Sequence, residues 1–257
     1  MGTVGEDSPS MHVTRQIRLS LQQTSEPTLM STLWKWLAAP FLIPVAMASV
    51  LESILGMSSI SLTAHLTWAA AGIAAYLIFY LIMLGSSNLR FVEILEHEVI
   101  HAVVGIVATA QLRRLQVFPA DNDNITEVEA RRGINFWFYL APYFLPLLTL
   151  PALVIYPFAQ DPLRLGVAAM IGFTLGFHYI GVIREFGSRQ TDIQKNTYLF
   201  SLAVTVMLNM FILMLVIAIV NDDLQILFSF VMRVGDRTAE IYEAGWTFVQ
   251  QALTEIL

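Results

Sequence analysis

Polar and apolar positions fall into long uniform blocks along this chain. After a polar opening come six apolar runs, Leu33–Leu55, Leu62–Leu84, Phe91–Ala110, Ile134–Phe158, Leu163–Ile183 and Tyr198–Val220. A helix needs about 20 residues to cross about 30 Å of hydrocarbon, and each run reaches that length. Backbone groups in lipid must find their hydrogen bonds internally, and no run shows the residue-by-residue alternation of a barrel strand. The pattern predicts an all-α polytopic membrane protein with about six transmembrane helices.

The polar blocks divide the rest. Residues 1–32 form an arm of mixed charge, with a stretch from Val13 to Leu21 that could make a short amphipathic turn. Its first apolar run begins only at Leu33, so no cleaved secretory signal is expected. Between Gln111 and Gly133, two short runs, Leu112–Phe118 and Ile125–Glu129, flank a turn-like Pro119–Asn124, which reads as a short hairpin. Beyond Asn221–Asp223, Leu224–Val234 is too short to span. It leads into a tail where Ile241, Trp246, Phe248, Val249 and Leu253 alternate with charges, the pattern of an amphipathic helix lying in the interface. Three units follow: the arm 1–32, a six-helix membrane domain 33–220 and an interfacial tail 221–257.

Composition sharpens this picture. The 257 residues are 56% apolar and 13% charged, and the mean hydropathy is +0.64. A soluble domain runs about 45–50% apolar and about 25% charged, so a soluble enzyme or a disordered chain is excluded. With no cysteine there is neither disulfide nor thiol chemistry, and a net charge of −6 gives no case for nucleic acid. The expected location is a bilayer, crossed several times, of the bacterial inner or plasma-membrane type. Basic residues do not orient it. If all six runs cross, Arg15, Arg18, Lys35, Arg90, Arg164, Arg233 and Arg237 fall on one side, against Arg113, Arg114, Arg131, Arg132, Arg184, Arg189 and Lys195 on the other.

Few titratable residues interrupt the apolar runs, and they cluster. The third run holds Glu93, Glu96 and then His97-Glu98-Val99-Ile100-His101. Two histidines four apart on a helix share a face and can reach one metal ion, and the Glu after the first is placed to take a proton from water. Charged groups at membrane depth cost at least about 2.5–3.5 kcal/mol each, so they normally face an interior site. Glu93, one turn before His97, could orient it. His65 has no partner motif and is expected near an interface, as are Trp34, Trp36 and Trp68.

His97 to His101 in an apolar helix, followed by the small residues of His101-Ala-Val-Val-Gly105, resembles the site-2 protease class of intramembrane zinc metalloproteases, peptidase family M50. The likeness covers about Phe91 to Val220. It implies Zn2+ on His97 and His101, Glu98 as general base, and a later Asp as third ligand. This chain departs from the class there, having no Asp-Gly dipeptide and no Asn-x-x-Pro pattern before a membrane Asp. The fourth run instead carries Pro142, Pro146 and Pro151, a broken helix of the kind that lines a cavity.

Two residues are candidates for the third ligand. Asp192 has the expected chemistry and a suitable separation from His101. Simple counting nevertheless puts it on the opposite side from His97, unless one run fails to cross, the proline-rich fourth being the first choice. His178 lies at matching depth in the fifth run, beside Gly172-x-x-x-Gly176, a small-residue face for close helix packing. Glu185 or a water is the remaining option, and the residue that is not a ligand could hydrogen-bond one that is. The resemblance implies an endopeptidase that cuts membrane-anchored proteins by metal-activated water. The alternative is a non-proteolytic transporter, scaffold or adaptor that keeps the fold.

Overall fold

A computed structural model describes residues 29–107, 112–116, 127–130 and 135–256, so the arm up to residue 28 and its Val13–Leu21 stretch lie outside it. The described chain is helical apart from one short hairpin. Four helices are long and apolar enough to cross a membrane: α1 (Leu29–Ser59, apolar from Thr32), α2 (Ala64–Ile82), α6 (Leu163–Glu185) and α8 (Tyr198–Val220). They correspond to the first, second, fifth and sixth apolar runs.

The other two runs differ from a plain spanning helix for separate reasons. The third forms α3 (Ser87–Val107), with Arg90, Glu93, Glu96 and Glu98 set among its apolar residues. The fourth is broken into α4 (Phe136–Leu140), a 3-10 turn at Ala141–Tyr143, α5 (Thr149–Ile155) and a second 3-10 turn at Tyr156–Phe158. Pro142 and Pro146 lack the N–H that a continuing helix would use.

Close packing of α2 on α6 organises the bundle. Gly72 lies against the backbone of Ala169 and Phe173, Gly172 against that of Ala69, and Gly176 against the Tyr76 ring. A Cβ added at Gly72 or Gly172 would overlap the facing carbonyl. Ala69, Ala168, Ile171 and Leu175 then form a core with Val216 and Val220 of α8. We expect Gly172→Val to force the helices apart and lower stability by about 3 kcal/mol or more, the upper range for overpacking. Gly166→Ala in the same helix, where an added Cβ meets nothing, should be neutral or slightly stabilising. Thermal unfolding in detergent distinguishes the two.

Contacts identify the two ends of the bundle. At one, Trp34 of α1, Phe136 of α4 and Phe200 of α8 pack edge to face. At the other, the Tyr156 hydroxyl donates to the Val220 carbonyl at 2.7 Å and Thr63 donates to Asn221 at the same distance. Between them the broken fourth run goes the whole way. The Tyr143 carbonyl accepts from Asn209 at mid-α8 and Thr149 bonds Thr174 at mid-α6.

The third run does not. Along α3, Leu89 packs with Tyr76 and Phe177, Glu93 meets Arg184, His97 meets Glu185, and His101 meets Phe138. All of these contacts lie in the half of the bundle where α2 and α6 finish and α8 begins. Sequence counting named the proline-rich fourth run as the one that fails to traverse; it is α3 instead.

The expected hairpin is present. Strands β1 (Leu112–Gln116) and β2 (Glu127–Ala130) pair antiparallel, with Arg114 opposite Glu129 and Gln116 opposite Glu127. Its turn, 117–126, lies outside the described residues. The C-terminal segment forms the expected helix, α9 (Gln225–Ile256), whose first half lies lengthwise along α1. Glu52, only 3% exposed, accepts from Arg233 at 3.1 Å and Arg237 at 3.0 Å, and the Tyr242 hydroxyl donates to the Phe41 carbonyl. These pairs run in opposite order along the two helices, so α9 is antiparallel to α1. Beyond Tyr242 it is exposed almost throughout.

Candidate metal centre

Three side chains converge at the end of the bundle marked by Trp34. His97 and His101, one turn apart on α3, direct Nε2 at the same carboxylate oxygen, Asp192 Oδ2, at 3.4 and 3.2 Å. Asp192 sits in the first turn of α7 (Thr191–Asn196), the short helix before α8. Among the described residues this is the group of His and acidic side chains able to hold a metal ion, with all three ligand atoms within 4.8 Å of one another.

The surrounding hydrogen bonds fix the chemistry of each ring. His97 Nδ1 lies 2.8 Å from Glu185 Oε2, and His101 Nδ1 lies 2.9 Å from the Phe138 carbonyl oxygen. Both partners are acceptors, so each Nδ1 carries the proton and donates it. In its neutral form each imidazole turns a bare Nε2 lone pair towards Asp192. Two lone pairs and an anion facing one another repel unless a cation joins them.

The donor set therefore fits a metal ion. Tetrahedral ligands about 2.0–2.1 Å from zinc lie about 3.3 Å apart, close to the two separations found. Metal-bound histidines also donate their other N–H to a carboxylate or a carbonyl, as both do here. Ring packing holds the imidazoles in place: Phe138 stacks on His101 at 4.8 Å, and Tyr143 meets His97 edge-on at 5.3 Å.

Backbone restraints bring Asp192 to this position. Asn196 donates to the Asp192 carbonyl at 3.0 Å, while buried Lys35 of α1 donates to the Lys195 carbonyl at 2.8 Å. Thr197, between α7 and α8, takes a positive φ of 65°, a conformation that β-branched residues rarely adopt. The sharp turn folds α7 back over the start of α8 and towards α3.

The remaining candidates take other places. His178 is 2% exposed, and its Nε2 lies 3.3 Å from Asn209 Oδ1. Asn209 donates both its N–H groups to the carbonyls of Tyr143 and Thr205, so its oxygen accepts from His178. A cavity of about 10 Å³, the size of one water, separates His178 from His97, with Glu93, Glu96 and Glu185 on its walls. His178 thus backs the site without joining the three converging atoms. Glu98 is half-buried directly after His97. Glu93 does not orient His97. It is 4% exposed and receives two hydrogen bonds from Arg184, at 2.8 and 2.6 Å. Consecutive residues at the end of α6, Arg184 and Glu185, thereby grip Glu93 and His97 on one face of α3. His65 lies at the opposite end of the bundle, 3.2 Å from Asp161.

Three contributions escaped sequence reading. Glu185, an option for the third ligand, lies behind His97 and accepts from its Nδ1. The Phe138 carbonyl carries no signal in the residue type. Tyr143 is one aromatic among many until the fold puts it on His97. We expect Glu185→Ala to weaken zinc binding about 10–100-fold while leaving the ligands themselves in place, as measured by competition with a chromogenic chelator.

Compared with models of known protein families, with curated proteins and with solved structures, the chain matches none.

Proposed function

We propose that this protein is a zinc-dependent intramembrane endopeptidase, similar in its chemistry to the site-2 protease class, acting on membrane-anchored protein substrates. The observation that supports it is the convergence of His97, His101 and Asp192, each imidazole supported from behind, with Glu98 next to the first histidine. Zinc, when bound, supplies Lewis-acid polarisation of the peptide carbonyl and of a water molecule.

This chain's residues do the rest. Glu98 takes a proton from the attacking water as its oxygen bonds to the carbonyl carbon. When the C–N bond breaks, Glu98 passes that proton to the amine. Glu185 and the Phe138 carbonyl keep both imidazoles in the Nδ1–H tautomer and in orientation. A substrate helix must unwind locally first, because its carbonyls already accept hydrogen bonds. The broken fourth run and the β1–β2 hairpin, both packed near α3, offer places for an extended strand to lie.

We read the chain as multi-pass, in a membrane of the bacterial inner or plasma type. Its four long apolar helices carry the crossings, and the broken fourth run joins the same two ends.

The test uses purified protein in bicelles with a single-span fluorogenic substrate, comparing the parent with Glu98→Gln and His97→Ala. Cleavage by the parent and by neither variant supports the proposal. If both variants cut like the parent, the proposal is wrong. Stoichiometric zinc in a parent that cuts no single-span protein would favour a transporter, scaffold or adaptor instead.

A further inference from the structure

Tyr143 carries a hydroxyl that the described residues leave with nothing to bond. The side chain is 1% exposed, and among the described residues its oxygen is buried without a hydrogen-bond partner. Burying an unpartnered hydroxyl is costly, and phenylalanine would fill the same space without that cost. The ring is firmly held. His97 meets it edge-on at 5.3 Å and Phe186 at 5.5 Å, while Asn209 donates to the Tyr143 carbonyl at 2.7 Å. Pro142 and Pro146, which break the fourth run, place the residue in a 3-10 turn instead of a continuing helix. The charged groups that act on the phenol are Asp192, Glu185 and Glu98. They comprise a metal-ligand candidate, the support of His97 and the candidate base.

A rigid donor beside the reacting groups, committed to no acceptor, suits an acceptor that arrives with the substrate. We propose that Tyr143 is a catalytic residue whose hydroxyl donates a hydrogen bond to the scissile carbonyl oxygen as that oxygen becomes negative. The inference rests on the proteolytic reading above. As the water oxygen bonds to the carbonyl carbon, the C=O π pair moves onto the oxygen and the water's proton goes to Glu98. Tyr143 stabilises the oxyanion and keeps its own proton. Collapse restores the C=O bond, breaks the C–N bond, and returns the proton from Glu98 to the amine nitrogen. Donors aimed at an oxyanion contribute more in the transition state than in the ground state, so this hydroxyl should act on kcat.

Tyr76 provides an internal control. Among the described residues its hydroxyl is also buried without a partner, but its ring lies among Phe79, Tyr80, Phe173 and Phe177, and the charged groups that act on it are Glu93, Arg184 and Glu96, none of them one of the three converging residues.

The experiment loads full-length parent, Tyr143→Phe and Tyr76→Phe proteins with Co(II) and titrates each with acetohydroxamate, following the visible spectrum. All three should bind one cobalt. Acetohydroxamate affinity should fall about tenfold or more in Tyr143→Phe alone, as expected for a lost hydrogen bond to a charged acceptor. On the single-span substrate, kcat should fall about 10²–10³-fold with KM within about twofold. Parent-like hydroxamate affinity and kcat in Tyr143→Phe, with Glu98→Gln inactive, would overturn this inference alone. Loss of cobalt from Tyr143→Phe would also overturn it, because the residue would then be building the centre. A parent that binds no cobalt overturns both the inference and the metalloprotease reading.

Discussion

Glu98→Gln should lower kcat on a single-span substrate by about 10³-fold, within the range of about 10²–10⁴ that general acid–base groups contribute. Glutamine keeps the shape and polarity of the side chain but cannot accept the water's proton. Bound zinc should stay near one per chain, because His97, His101 and Asp192 are untouched. His97→Ala should lose both activity and zinc, since it removes a donor atom and also leaves the Glu185 carboxylate without the N–H it accepts at 2.8 Å. Elemental analysis alongside a cleavage assay separates the roles. A Glu98→Gln protein that cuts at the parent rate would end the case for Glu98 as base, whatever its metal content.

The second large effect concerns the third ligand. Asp192→Ala should weaken zinc binding by at least about 100-fold, more than the loss of a supporting partner behind a ligand. One carboxylate oxygen faces both imidazoles, at 3.4 and 3.2 Å, so its removal leaves two neutral donors and no anion to offset the ion's charge. His178→Ala should disturb packing around Asn209 and lower thermal stability, yet keep zinc at one per monodisperse chain. Full zinc in Asp192→Ala together with zinc loss in His178→Ala would reverse the assignment.

Why Asp192 and not His178 could not be read from order along the chain is a matter of topology. Counting assumed that every apolar run traverses, which places Asp192 and His97 at opposite ends. The real arrangement turns on α3, whose Glu93 and His97 are drawn to Arg184 and Glu185 at one end of α6. Hydropathy cannot register that attraction, because the two charged neighbours lie 91 and 88 positions away. The proline-rich run misled in the opposite direction. Proline removes backbone N–H donors and so breaks a helix, but a broken helix can still run the length of a bundle when neighbours satisfy it, as Asn209 does for the Tyr143 carbonyl.

The tail illustrates the same division. Its amphipathic pattern was legible, and the segment is one helix that carries Arg233 and Arg237 on the side facing α1. Glu52, a single acid in the long apolar helix α1, is what converts that face from a solvent-facing stripe into a docking surface. An ion pair between residues 181 and 185 positions apart leaves no local mark on either segment.

By itself the sequence determined whatever depends on neighbours within a few positions. Helices follow from apolar runs, the broken fourth segment from its prolines, close packing from Gly172-x-x-x-Gly176, and a shared face from His97 and His101 four apart. Only the tertiary structure decided which distant groups meet. It selected Asp192 to face both imidazoles, Glu185 and the Phe138 carbonyl to support them, and Tyr143 to lie against His97. The reason is physical: helical periodicity is local and repeats along the chain, whereas a metal centre is built from few, directional contacts between segments whose separation the pattern does not encode.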